Sequence, residues 1–168
     1  MTERMEGSPT LVGRAVDLVG RLEGLIARMP ASLASLALRI AAAMPFFKSG
    51  LTKWDGFLVL SDSAPYLFAE VFRLHILGAE YPFPAPGLVA LLSGLGETIL
   101  PVLLVLGLGT RFAALGLLAM TAVIQLTVPD GWETYHLPWA AMLLGILVIG
   151  PGRIALDAVI PRVFARAS

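Results

Sequence analysis

Apolar residues fall in four long blocks separated by polar stretches: Pro30 to Gly50, Leu88 to Thr110, Phe112 to Pro129 and Thr134 to Gly150. Each approaches the roughly 20 residues that a helix needs to cross a bilayer core. Inside lipid the backbone has no water to bond, so each block is predicted to be a helix. The alternating segments of about ten residues that build a membrane β-barrel are not visible. The pattern predicts an all-α protein, a four-transmembrane-helix bundle.

The polar flanks add detail. Leu11, Ala15, Leu18, Leu22, Leu25, Ile26 and Met29 recur at helical spacing, and Arg14, Arg21 and Arg28 repeat on another face. That predicts an N-terminal amphipathic interfacial helix in the headgroup plane; a solvated helix packed on a partner protein is the alternative. The first 29 residues have no apolar core of a signal peptide. The expected organisation is a cytoplasmic-side amphipathic helix over 1–29 and a transmembrane domain with a cytoplasmic C-terminal tail over 30–168. A long outer loop joins the first two blocks, from Thr52 to Pro86. Asp62 offers a cap and Pro65 a first-turn proline, so a short helix over Tyr66–Leu77 is predicted, ended by Gly78. Tyr81–Pro86 cannot continue a helix.

Composition agrees: 57% of the 168 residues are hydrophobic and 14% charged, against about 45–50% and about 25% in soluble domains. Lys+Arg and Asp+Glu number 12 each, for a net charge of zero, so no nucleic-acid face is expected. With no cysteine, disulfides, thiolate metal sites and thiol catalysis are excluded. Arg4, Arg14, Arg21 and Arg28 precede the first block, Arg111 lies between the second and third, and Arg153, Arg162 and Arg166 follow the fourth. Four crossings place all of these on one side, which basic flanks mark as cytoplasmic. Lys48, Lys53 and Arg73 are exceptions on the opposite, acidic side.

Charges within the blocks are costly and mark candidate sites. Arg39 and Glu97 each lie roughly 13 Å from their own face at about 1.5 Å per residue, so they are expected to pair. The pair serves either as structural glue or as part of a proton or quinone site. A second cluster, Lys53, Gln125, Glu133, His136 and Trp139, is expected to converge at the outer mouth, with Glu133 and His136 as a proton-transfer pair. An ordinary interfacial His and Trp belt is the alternative. Only His75 and His136 could supply imidazole, and Met44, Met120 and Met142 lack paired spacing, so no metal site is expected. No phosphate loop, HExxH or nucleophile elbow is present, so catalytic residues stay unassigned. Small residues along the blocks suit close helix contacts and a homodimer.

Three stretches, LRIAAAMPFFKSGLTKW, ETILPVLLVLGLGTRFAALGLLAM and HLPWAAMLLGILVIGPGRIALD, resemble the DoxX family of small four-helix bacterial membrane proteins. The resemblance covers Leu36 to Asp157. It is carried by Arg39, Lys48-Ser49-Gly50 with Lys53, Glu97, Gly107 with Thr110-Arg111, His136 with Trp139, and Gly150-Pro151-Gly152 with Asp157. LTVPDGWETYHLPWA and YLFAEVF resemble the DoxX-like subgroup associated with metal-stress peptide systems. The resemblance implies a multi-pass protein of the bacterial inner membrane; the basic flanks add the expectation that both termini are cytoplasmic. It implies a membrane protein tied to redox or metal stress; the Arg39 and Glu97 pair beneath a polar mouth with His136 and Lys53 adds the expectation of a redox-associated subunit that binds a quinone or similar apolar ligand within the bundle, as part of a quinone-linked oxidoreductase if it is catalytic. Two alternatives stay open: a non-catalytic membrane adaptor for partner proteins, and transport or sequestration of copper linked to metal stress.

Overall fold

The computed structural model describes residues 11–160. Arg4, Arg162 and Arg166, and both termini, lie outside the described residues. The chain divides into two units, 1–30 and 31–168.

In the first unit, α1 (Leu11–Ile26) is a single helix with no buried residue. Its leucines stay exposed, as do Arg14, Arg21 and Arg28.

In the second unit, four helices carry most of the chain: α2 (Ala31–Leu51), α4 (Pro86–Leu106), α5 (Thr110–Thr127) and α6 (Leu137–Ile149). They pack in a ring, α2 against α4 and α6, and α5 against α4 and α6. Helices α2, α4 and α5 are long and apolar enough to cross a membrane. The fourth block begins with a wide helical turn over Trp132–His136 and continues as α6. The core between the helices is Ala42, Ala43, Phe46, Leu104, Ala113, Ala114, Leu117, Leu143 and Ile146. Small residues on the inward faces bring the backbones close, while the large apolar side chains of the outward faces, such as Ile40, Ile99 and Leu115, stay exposed.

The outer loop departs from the all-α expectation. It contains two antiparallel hairpins, β1 (Trp54–Gly56) with β2 (Val59–Leu60), and β3 (Arg73–Ile76) with β4 (Ala79–Pro82). The helix predicted over Tyr66–Leu77 is instead α3 (Ser63–Tyr66), running into a wide turn over Leu67–Val71. Asp62 makes no side-chain cap bond there. Gly78 does not stop a helix. With Leu77 it makes the two-residue turn of the β3–β4 hairpin, both at positive φ (52° and 82°), as the twist of such a hairpin requires. The loop has its own core, in which Ala64, Phe68 and Phe83 pack together with Ala90 of α4.

Candidate functional site

Arg39 and Glu97 do not pair. Arg39 is fully buried, and its guanidinium donates to the carbonyls of Leu104 (3.2 Å) and Val105 (2.9 Å) and to that of Ile154. The first two belong to the last turn of α4, where a cation is favoured; the Leu104 carbonyl also accepts from the Gly107 N–H (3.2 Å). Just beyond, the Asp157 carboxylate accepts from the backbone N–H groups of Gly109 (2.7 Å) and Thr110 (2.8 Å) and from the Thr110 hydroxyl (2.8 Å). It thereby caps the start of α5. Burial pushes the Asp157 carboxyl up, but these hydrogen bonds and the Arg39 charge outweigh it and hold the group below the usual carboxylate value. Ser35 donates to the Gly150 carbonyl (2.8 Å), and the Arg153 N–H donates to Ser32 (3.0 Å). Arg39 therefore belongs to a set of contacts that locks the inner ends of α2, α4 and α5 to the segment after α6.

Glu97 pairs with Lys53. Lys53 stands two residues beyond α2, and its Nζ lies 2.6 Å from Glu97 Oε2, with both side chains largely buried. Ser93 donates to the other carboxylate oxygen (3.0 Å), and Lys53 also donates to the Ser49 hydroxyl (3.3 Å). The local sequence explains how the chain reaches this geometry. Pro101 has no N–H, so the Glu97 carbonyl loses its helical partner. Gly50 packs against this freed carbonyl, where a methyl group would lie 2.8 Å from both of its atoms. Trp54 lies across Gly94 and donates its indole N–H to Thr98 (3.0 Å). These contacts seat the outer end of α2 halfway along α4.

The Lys53–Glu97 pair, with Ser49 and Ser93, forms part of the wall of a cavity of about 450 Å³. The rest of the wall is mainly apolar. Pro45 and Phe46 come from α2, Val89 and Leu92 from α4, and Ala119, Met120, Val123 and Ile124 from α5. Trp139 adds one side from α6, and Phe68, Phe72 and Phe83 of the outer segment add another. Phe68 meets Phe72 and Phe83 edge to face at 5.3 and 5.2 Å, and Phe46 meets Trp139 at 5.2 Å. Such ring pairs each contribute about 0.5–1.5 kcal/mol beyond burial, so these walls are set before any ligand binds. A few convergent polar groups in an apolar chamber of this size are what a small-molecule site requires.

The predicted outer mouth is thus divided. Lys53 and Trp139 line the cavity with Glu97, whereas Gln125 and His136 do not. His136 is buried beneath Gly131 and shares a 2.6 Å hydrogen bond with the Gln125 side-chain oxygen. Gln125 in turn donates to the Pro129 carbonyl (3.0 Å), which ties the α5–α6 connection together. Glu133 is exposed and, among the described residues, is not the partner of His136. No group of three or more His, Cys, Asp or Glu is placed to hold a metal among the described residues. Ser49, Ser93 and the three phenylalanines were not legible as site residues from the sequence, although Ser93 stands one helical turn before Glu97 on the same face.

The DoxX family profile matches residues 34–130. An uncharacterized protein of Haemophilus influenzae is 31% identical over 149 residues, covering 82% of this chain and 90% of that one. No solved structure matches. With three helices among the described residues suited to crossing a bilayer and this match over more than half of its length, the chain belongs to the DoxX family and is a multi-pass membrane protein.

Proposed function

We propose that this protein binds a quinone, or a similar apolar ligand bearing oxygen, in the cavity beside Lys53 and Glu97, and acts as a redox-associated membrane subunit. The observation that carries the reading is the placement of one ion pair and three hydroxyl side chains, Ser49, Ser93 and Thr127, on the wall of an otherwise apolar chamber. An ammonium group donates to a carbonyl oxygen, and a carboxylate accepts from a hydroxyl. The two together suit a ligand that presents either. Aromatic walls suit a ring.

In this reading the chain crosses the bacterial inner membrane four times, with Trp132–Ile149 as the fourth crossing. The segments before α2 and after α6 face the cytoplasm. Of the basic residues against this orientation, Lys53 is neutralised by Glu97, whereas Arg73 keeps its charge and donates to the carbonyls of Ala69 and Phe72 at 2.9 Å each. Helix α1, apolar on one face and arginine-bearing on another, lies in the cytoplasmic headgroup layer.

The test is equilibrium binding of a decyl-chain benzoquinone to the purified protein. Saturable binding is expected, weakened about tenfold by Glu97→Gln or Lys53→Met, the equivalent of ~1.4 kcal/mol. No saturable binding, or binding that neither variant changes, overturns the reading.

A second reading, an anchor for a partner protein, is favoured by one feature. Leu77 is fully exposed at a left-handed φ, and Phe57 at the other hairpin tip is almost as exposed. Co-purification from native membranes checks it: a partner lost in Leu77→Asn supports it, and an unaccompanied protein refutes it.

A further inference from the structure

The cavity is walled on three sides but not enclosed. Toward α2, Gly50 presses on the Glu97 backbone and Trp54 on Gly94. Toward α6, Phe46 and Trp139 are in ring contact. The outer end is covered by Phe68 and Phe83, both buried.

The seam between α4 and α5 differs along its length. In its inner half Gly116 meets Leu100, where a methyl group would lie 2.8 Å from a leucine carbon, and Gly96 meets the Met120 sulfur, with a matching distance of 2.9 Å. Large side chains seated on glycine leave no space between the helices there. One turn further out, the successive positions are Leu92 and Ser93 on α4 and Val123 and Ile124 on α5, and all four line the cavity. Two of them are at the same time open to the outside, Leu92 at 59% and Val123 at 46% exposure. A residue that lines a chamber and also faces out marks an opening; Val128 past the end of α5, at 45% exposure, extends this one along the same helix, and the small Ser49 is exposed on α2. The outward-facing pair is apolar and lies on two helices suited to crossing a membrane, so this opening faces lipid rather than water.

We propose that the cavity is entered sideways from the bilayer, between the outer halves of α4 and α5, and that its occupant is a chain-bearing lipid whose chain stays in that gap. This rests on the ligand reading above and narrows it: the polar ring sits at Lys53 and Glu97, and the ligand comes from the membrane phase. Small water-borne solutes and free metal ions are not the cargo of such an opening.

The wild-type protein in lipid nanodiscs tests it with two probes: a decyl-chain benzoquinone carrying a diazirine at the chain end, and the same ring without the chain. After correction for partition into lipid, the chain-bearing probe is expected to bind about tenfold more tightly, the equivalent of ~1.4 kcal/mol. Photo-adducts that unlabelled decyl-benzoquinone competes away are expected on residues 88–93 and 119–124. Equal affinity for the two probes, or competed adducts confined to α6 or the outer hairpins, overturns the proposed entry while leaving a quinone site intact. If neither probe binds saturably, the ligand reading itself fails, and this inference fails with it.

Discussion

At the residue scale, Arg39 and Asp157 act on the two sides of one turn. Helix α4 ends and α5 begins within Gly107–Gly109, and both glycines have positive φ (72° and 57°). The Val105 carbonyl at the end of α4 is met by a guanidinium, and the N–H groups at the start of α5 by a carboxylate. Removing the guanidinium strands buried acceptors, so Arg39→Met is expected to cost about 2–4 kcal/mol. That appears as a lower Tm in detergent, with decyl-benzoquinone affinity per folded molecule unchanged. Arg39→Lys keeps the charge but not the planar fork, and should fall between. Lost binding at an unaltered Tm would return Arg39 to the ligand site. Asp157 gives a pH signature. Its folded pKa is depressed, so its stabilisation is complete above the ordinary carboxylate value and is lost as pH falls through the lower folded value. Acid denaturation of the wild type should steepen in that range, and Asp157→Asn should flatten the curve at a lower neutral-pH stability. Identical acid limbs for both proteins would contradict this.

At the element scale, the apolar blocks were legible because lipid imposes a helix on any long apolar run, and α2, α4 and α5 match their blocks to within a few residues. The pairing of Arg39 with Glu97 was not legible. Counting depth from each block's edge assumes that neighbouring helices start level. Gly50 instead seats the end of α2 beside Glu97, so α4 extends beyond it by the residues from Pro86 onward to meet the outer segment. Block edges do not encode that stagger; glycine and proline contacts do. Gly50→Val tests it. The added side chain meets the Glu97 backbone rather than a flexible group, so α2 must shift. A cost of about 1–3 kcal/mol together with weaker quinone binding is expected, and unchanged Tm and affinity would argue against the stagger. The hairpins were missed for another reason. Asp62, Pro65 and Gly78 read as the start and stop of a helix, but the alternation over Arg73–Ile76 and the Leu77–Gly78 pair are the signals of a strand and a two-residue turn. A leucine held at left-handed φ costs roughly 1–2 kcal/mol. Leu77→Gly should therefore raise Tm, and a fall in Tm would mean that the leucine makes contacts outweighing its strain.

At the scale of the whole molecule, the helix ends around Arg39 and Asp157 are locked by caps and buried hydroxyl bonds, while the opposite ends surround a chamber roofed by Phe68, Phe72 and Phe83 from the segment that joins α2 to α4. That division suits a scaffold with one working end. The candidate site was partly legible: Lys53, Glu97 and Trp139 stood out as polar or amphipathic residues in apolar surroundings. The aromatic roof and the separate His136–Gln125 contact depend on how the loop folds back, which periodicity does not report. What decides between a ligand chamber and a structural ion pair is the identity of whatever travels with the protein out of its own membrane. Organic extraction and mass spectrometry of protein purified from native lipid should find one oxygen-bearing prenyl or alkyl lipid retained near one per chain, and depleted in folded Glu97→Gln. Recovery of nothing beyond bulk phospholipid, or the same lipid at the same ratio in the variant, would contradict the assignment of the cavity as its binding site.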